Sequence, residues 1–370
     1  MASRSDARGG KQITTHRAGT RQAARRSVPP VLHAQQVPQV PAVGLEFWLS
    51  IDYGTKKMAA AVAVKQPGID IAEHDIKLVH FNDRDYYAPQ KAAWAANGDF
   101  YWDYGVQKAI DEGLIGSGHV IDFWKLLLYQ DHSTSALAER IREQLRNARR
   151  TLDELITTHF KHIFTAVRQW VLSRGILMQH SQEVIEAMPC KVLLSVPKLW
   201  ETPKIEVMTS AIKRAGFHGV EVILEPHSVV GYFANSMKHV MHKLKVGDLM
   251  LLADIGGGTG DFTTVELEGP LSDGAIVKLR GVAASNGTLW GSQLVNEQCI
   301  KYLQEEAMEQ YGITGWKYLC NNVLGITPAE AVSQVNDSFD DIKAKFTSTN
   351  SRPKMITIVG INNAHWGRMC

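Results

Sequence analysis

The amino-acid sequence predicts a mixed α/β protein built as two lobes, and three observations predict it. Short apolar runs such as 191–196 and 249–253 alternate with segments whose apolar residues recur every three or four positions. Two apolar runs end in an aspartate followed by a glycine turn, Ser50-Ile51-Asp52-Tyr53-Gly54-Thr55 and Ala253-Asp254-Ile255-Gly256-Gly257-Gly258-Thr259-Gly260-Asp261. With 370 residues, 45% of them hydrophobic, the chain exceeds what one small core organises.

The first 44 residues read as a disordered basic tail, with seven Lys or Arg against the single acid Asp6. The whole chain carries a formal charge of only +2, which leaves no bulk electrostatic case for a nucleic-acid partner. The four cysteines are far apart, in neither metal nor disulfide spacing, as in a reducing compartment. No apolar run approaches the ~18 residues a membrane-crossing helix needs. The expected location is therefore cytoplasmic, although the Arg-rich start also fits a mitochondrial leader.

Order is expected to begin near Gly44. Residues 45–51 form a strand that turns at Tyr53-Gly54 into a second apolar run through Val64. Residues 83–130 are rich in aromatic side chains and show little periodicity. From Ala136 one long helical pattern runs through Leu137, Ile141, Leu145, Leu152, Leu155 and Ile163. Residues 191–196 form a buried strand closed by Pro197. Thr202 caps the following helix, with Pro203 in its first turn and Gly216 at its end. A strand over 220–224 leads to Glu225-Pro226. Residues 249–253 and 262–267 form a hairpin around the glycine cluster. Thr327-Pro328-Ala329-Glu330 is a capping box that opens a helix with Val332, Val335, Phe339, Ile342 and Phe346 on one face. The last stretch reads as one apolar strand from Ile356.

The two aspartate–glycine hairpins carry the chemistry. Glycines let the backbone approach an anion closely and present N–H groups to it, and a threonine hydroxyl adds a bond. A carboxylate at the strand end would repel phosphate unless a hydrated Mg²⁺ stood between them. A lone Asp-x-Gly-Thr is an ordinary turn. Three consecutive glycines between Asp254 and Asp261 are far more specific, because they cost backbone entropy and a simple two-residue hairpin does not need three. Competing phosphate loops fail. No G-x-x-x-x-G-K-[ST] occurs, and a dinucleotide fingerprint would need a glycine at Asp261 and a helix after it.

On these motifs the chain resembles the nucleotide-binding domain of the heat-shock 70 kDa chaperones. These belong to the actin-like ATPase superfamily, whose two lobes share a ribonuclease H-like fold. The segment between the hairpins adds to the resemblance through Val196-Pro197, Trp200, the capped helix to Gly216, and Ile223-Leu224-Glu225-Pro226. The likeness covers about 45–346 and is densest over 191–235 and 249–267. It implies a first lobe with its connecting segment over 45–235, and a second lobe over 236–370 that is partial. The family's second connecting segment and glycine-rich adenosine motif have no counterpart after Lys354, so the chain is expected to be C-terminally incomplete.

The resemblance also implies ATP or ADP with Mg²⁺ as cofactors, slow hydrolysis coupled to lobe closure, and client or cochaperone proteins as partners. Asp52, Asp254 and Glu225 would hold the metal through water. Asp254, Thr259, Asp261 and Glu225 would act in catalysis. Gly54, Thr55, Lys56, Gly256, Gly257, Gly258 and Thr259 would line the phosphates, and Asp340, Lys343 and Thr347 would meet adenosine. Two departures stand out. Lys56 and Lys57 follow the first threonine, and the register puts Gln107 where the family has its catalytic lysine. Loss of that charge favours a second reading, a non-catalytic nucleotide-binding module. A third reading, a small-molecule kinase of the same superfamily, lacks an identifiable substrate carboxylate.

Overall fold

The computed structural model describes residues 44–82, 85–129, 136–175, 181–236, 243–269, 278–283, 285–288, 291–345, 354–361 and 364–369. Thr347 and Phe346 lie outside them, as does the basic tail.

The chain opens with β1 (Glu46–Tyr53) and β2 (Lys57–Lys65), the expected hairpin. Phe47, Leu49, Ile51 and Tyr53 alternate with polar or half-exposed neighbours and are buried. Short strands follow: β3 (Lys77–Leu78), β4 (Tyr87–Pro89), β5 (Lys91–Trp94) and β6 (Phe100–Trp102). Then come α1 (Tyr104–Asp111) and β7 (Ile121–Asp122). Strands β5, β6 and β7 make a separate small sheet. Pieces this short carry no detectable period, which is why 83–130 was opaque in the sequence.

The single long helix expected from Ala136 is two helices, α2 (Ala136–Asn147) and α3 (Leu152–Ser173). Arg149 takes a left-handed φ of 53° at the break. Thr151 then caps α3 in a reciprocal box, its hydroxyl accepting from the Glu154 N–H while Glu154 accepts from the Thr151 N–H. The cap overrides a hydrophobic spacing that runs on through the gap.

After α4 (Gln182–Ala187), β8 (Cys190–Val196) joins the main sheet. The next helix, α5 (Thr202–Arg214), keeps Pro203 in its first turn. Its N-cap is Glu201, so Thr202 is the first helical residue rather than the cap. Strand β9 (Gly219–Leu224) leads directly into α6 (Glu225–Ser236). The six-stranded sheet runs β3-β2-β1-β8-β9, with β4 also on β2. Strands β1 and β2 are antiparallel, whereas β1, β8 and β9 are parallel. Leu155, Ile156, Phe160, Ile163 and Val167 of α3 and Met208 and Ile212 of α5 are fully buried in the core that this sheet shares.

The second half begins with β10 (Leu249–Ile255) and β11 (Gly260–Leu267), continued by β12 (Leu279–Gly281) and β13 (Asn286–Thr288) on β11. Helices α7 (Ser292–Tyr311), α8 (Gly315–Tyr318) and α9 (Pro328–Ala344) follow. The capping box at Thr327 and Glu330 is present as expected. The final stretch, expected as one strand, is a hairpin of β14 (Met355–Val359) and β15 (His365–Met369). Leu303, Leu319, Val335, Ile356 and Trp366 form a second core. The molecule is thus mixed α/β. Among the described residues no helix is long and apolar enough to cross a membrane.

A polar triad sits inside the first core. The Trp124 N–H donates to the Tyr53 hydroxyl at 3.0 Å, and that hydroxyl shares a hydrogen bond with His159 Nδ1 at 2.8 Å. Burial, with a smaller push from His162, lowers the His159 pKa to about 3. An unfolded histidine titrates near 6.5, so the unfolded chain binds the extra proton between these values. The neutral ring's contribution is therefore complete above about pH 6.5 and is lost as the pH falls towards 3. Urea unfolding should show stability falling over this window by on the order of 4 kcal/mol more than in His159→Gln. An identical pH slope in the variant would contradict the buried neutral imidazole.

Candidate functional site

The two hairpins meet. In the first, Asp52 is at the end of β1, opposite Ala59 on β2 and Ser195 on β8. The Ser195 hydroxyl lies 3.4 Å from Asp52 Oδ1 and 3.3 Å from the Ile51 carbonyl. In the second, Asp254 on β10 faces Asp261 on β11, and the Gly256 N–H closes the turn onto the Thr259 carbonyl at 2.8 Å. A side chain at Gly257 would come within 2.7 Å of Lys56 Cβ. One at Gly258 would come within 2.8 Å of Thr55 Cγ2 and Leu126 Cδ2. Gly257 and Gly258 are therefore what let one hairpin tip lie against the other.

Between them lies a cleft of about 600 Å³, within the size range of small-molecule sites. Asp52, Gly54, Thr55 and Lys56 line it from the first hairpin, and Asp254, Gly256, Gly257, Thr259 and Asp261 from the second. Glu225, Asp340 and Lys343 also line it. Gly258 is packed behind, against Thr55 and Leu126.

Among the cleft residues missed in the sequence is a buried lysine. Lys125 is 4% exposed, with its ammonium 3.3 Å from Glu225 Oε1 and 5.1 Å from the centre of the Trp200 ring. Burial alone would lower its pKa. The charges of Glu225, Tyr129 and Asp52 outweigh burial and raise it, so the lysine is cationic. It is carried on a short 3₁₀ turn over Trp124–Leu128, entered through Phe123 at a left-handed φ of 55°. Such a conformation is costly for a bulky residue, and here it aims the turn at the cleft. The signal was a lysine inside the run Phe123-Trp124-Lys125-Leu126-Leu127-Leu128, where a charge needs a buried partner. Gln107, by contrast, is exposed on α1 and bonds to Asp111, and Lys108 pairs with Glu112. Neither lines the cleft.

The carboxylates around Lys125 are crowded. Burial raises the pKa of Asp52, Glu225 and Asp261. Lys125 works against it in all three, and the neighbouring Asp254 charge adds to it. The Thr259 hydroxyl donates to Asp261 Oδ2 at 3.1 Å, while buried Asp261 Oδ1 has no protein partner. An acidic pocket with an orphaned oxygen fits a divalent cation. Among the described residues no group of three His, Cys, Asp or Glu side chains is arranged to hold a metal ion.

Lys56, Asp340 and Lys343 are tied together rather than open to a ligand. Lys56 pairs with Asp340 across the cleft, and Lys343 pairs with Asp340 at 2.9 Å. Burial alone would raise the Asp340 pKa. The bonds from Lys56, Lys343 and Asn296 hold it below the usual range. Lys343 also donates to the Ser292 carbonyl at 3.0 Å.

A further residue absent from the sequence reading, Gly291, supports the glycine loop. It is the N-cap of α7, whose first N–H groups, on Ser292 and Gln293, bond to the carbonyls of Gly256 and Gly257 at 3.0 and 2.9 Å. Compared with known proteins, the chain matches no protein-family model and no protein of curated function.

Proposed function

We propose that this chain binds ATP with Mg²⁺ in the cleft and hydrolyses it slowly, in the manner of the actin-like ATPases it resembles. The carrying observation is the contact of the two glycine hairpins around four carboxylates and one buried lysine. Glycine-loop N–H groups and the hydroxyls of Thr55 and Thr259 would bind phosphate oxygens. Asp52, Asp254 and Glu225 would hold the hydrated metal. When bound, the metal supplies neutralising charge to the polyphosphate. Lys125 adds a fixed positive charge in a site partly shielded from water, where it favours charge developing on the transferred group. Thr259 and Asp261 are bonded to one another and would orient water beside it. Opening the ion cluster of Lys56, Asp340 and Lys343 would admit the adenosine.

Lys125 weighs against the binding-only reading, which was favoured by the loss of a lysine at Gln107. The wider idea, a heat-shock 70 kDa-like protein that passes cleft closure to a client or cochaperone, rests on the resemblance alone. Calorimetric titration with ATP should show binding that needs Mg²⁺ and weakens by about tenfold or more in Asp254→Asn. Single-turnover hydrolysis then separates ATPase from sensor. No ATP binding by a folded chain would end the proposal, and turnover dependent on an added sugar would shift it to a kinase.

A further inference from the structure

A second pocket, of about 550 Å³, shares no lining residue with the cleft. It is walled by the turn after β5, by the segment 114–119 and by the end of α2. Nothing in the nucleotide reading uses it.

Its charge is of one sign. Arg149 and Arg150 line it and no acidic side chain does, although acids outnumber bases in the chain beyond residue 44. The Arg150 guanidinium stands 5.5 Å from the centre of the Trp94 ring, which lines the same pocket, so the cation is held at the wall. The acid beside it, Glu154, is 3.9 Å away, too far for a hydrogen bond, and already accepts from the Thr151 N–H. Among the described residues Arg149 has no ion-pair partner.

Arg149 also stands where an arginine is out of place. Its φ of 53° follows the end of α2, a left-handed position that glycine or asparagine ordinarily fills. Glycine there would relieve the backbone, so stability gives no reason for the arginine.

Two neighbouring guanidiniums with no acid among them match a dianion. A phosphate monoester carries a charge of about −1.5 to −2 near neutral pH and offers three acceptor oxygens to their forked donors, whereas a carboxylate carries a single charge. Leu114, Ile115 and Ala148 give the rest of a ligand an apolar wall. We infer that this pocket binds a small phosphate monoester with an apolar body, its phosphate held by Arg149 and Arg150. Neither arginine lines the cleft, so the inference stands or falls apart from ATP binding.

Calorimetric titration of the full chain with phenyl phosphate and n-hexyl phosphate tests it, with inorganic phosphate and benzoate alongside. At least one ester should bind with a Kd below about 1 mM, and both comparison anions more weakly by about tenfold or more. Arg150→Gln should weaken the ester by a similar factor. Arg149→Gly should do the same while its melting temperature holds or rises, a combination that loss of folding does not produce. The inference is overturned if neither ester binds at about 10 mM, if inorganic phosphate or benzoate binds as well as the esters, or if Arg149→Gly binds them like the wild type.

Discussion

Lys125→Met is expected to remove ATP turnover and to make folding stability depend more steeply on pH. The wild-type lysine is buried and cationic, paired with Glu225 and close enough to Asp52 to raise its own pKa. Methionine keeps the volume and discards the charge. Asp52, Glu225 and Asp261 then lose the positive charge that opposes the rise in their pKa values. A carboxyl whose folded pKa lies above its unfolded value stabilises fully only below the unfolded value, near 4. That stability is lost as the pH rises through the folded value. Removing one partner of a buried ion pair costs about 3–5 kcal/mol when the other stays charged. The variant should therefore lose about that much at pH 8 and much less at pH 5, measured by urea unfolding.

Adding Glu225→Gln to Lys125→Met separates folding from chemistry when Glu225→Gln alone is the reference for activity, since Glu225 is itself proposed to hold the metal. The double variant removes the hydrogen-bonded partner of Lys125 as well and should regain most of the stability at pH 8. It should not regain activity, because no positive charge returns to the cleft. Loss of a preorganised charge of this kind costs roughly 10²–10³-fold in rate. Single-turnover hydrolysis by the double variant within a few-fold of Glu225→Gln would show that Lys125 serves packing alone.

The features legible in the sequence were those written in consecutive residues. The β1–β2 and β10–β11 hairpins show as apolar runs around a glycine turn, and the aspartates at their ends mark the cleft. Lys125 was not found by register because its meaning is tertiary, set by Glu225 one hundred residues later. The pairing of Lys56 with Asp340 spans 284 residues and left no local trace. The break between α2 and α3 was readable in principle, since Thr151 and Glu154 spell a capping box. The unbroken hydrophobic spacing masked it. Gly291 was not found because the helix it caps, Ser292–Tyr311, was itself not read from the sequence. What makes it special is the backbone behind it.

That backbone makes Gly291→Ala the sharper test of the glycine loop. The residue has a φ of −83° and a ψ of 175°, which any amino acid adopts, so the substitution carries no conformational penalty of its own. Its methyl group would stand 2.6 Å from the backbone nitrogens of Gly258 and Thr259, and closer still to the Gly258 carbonyl carbon. Main chain cannot swing aside as a flexible side chain would. Either the loop or the start of α7 must move, and the bonds from Ser292 and Gln293 to Gly256 and Gly257 are then strained or lost. Overpacking of this kind costs about 1–3 kcal/mol in stability. The expected loss of ATP affinity is larger, about 100-fold, because the displaced atoms are the N–H groups meant for phosphate. Gly105→Ala, on α1 where an added methyl meets nothing within 4 Å, is the control and should leave affinity unchanged. If the alanine at 291 is accommodated with ATP binding intact, the triple glycine does not hold phosphate, and its closeness to Thr55 and Lys56 is packing between two turns.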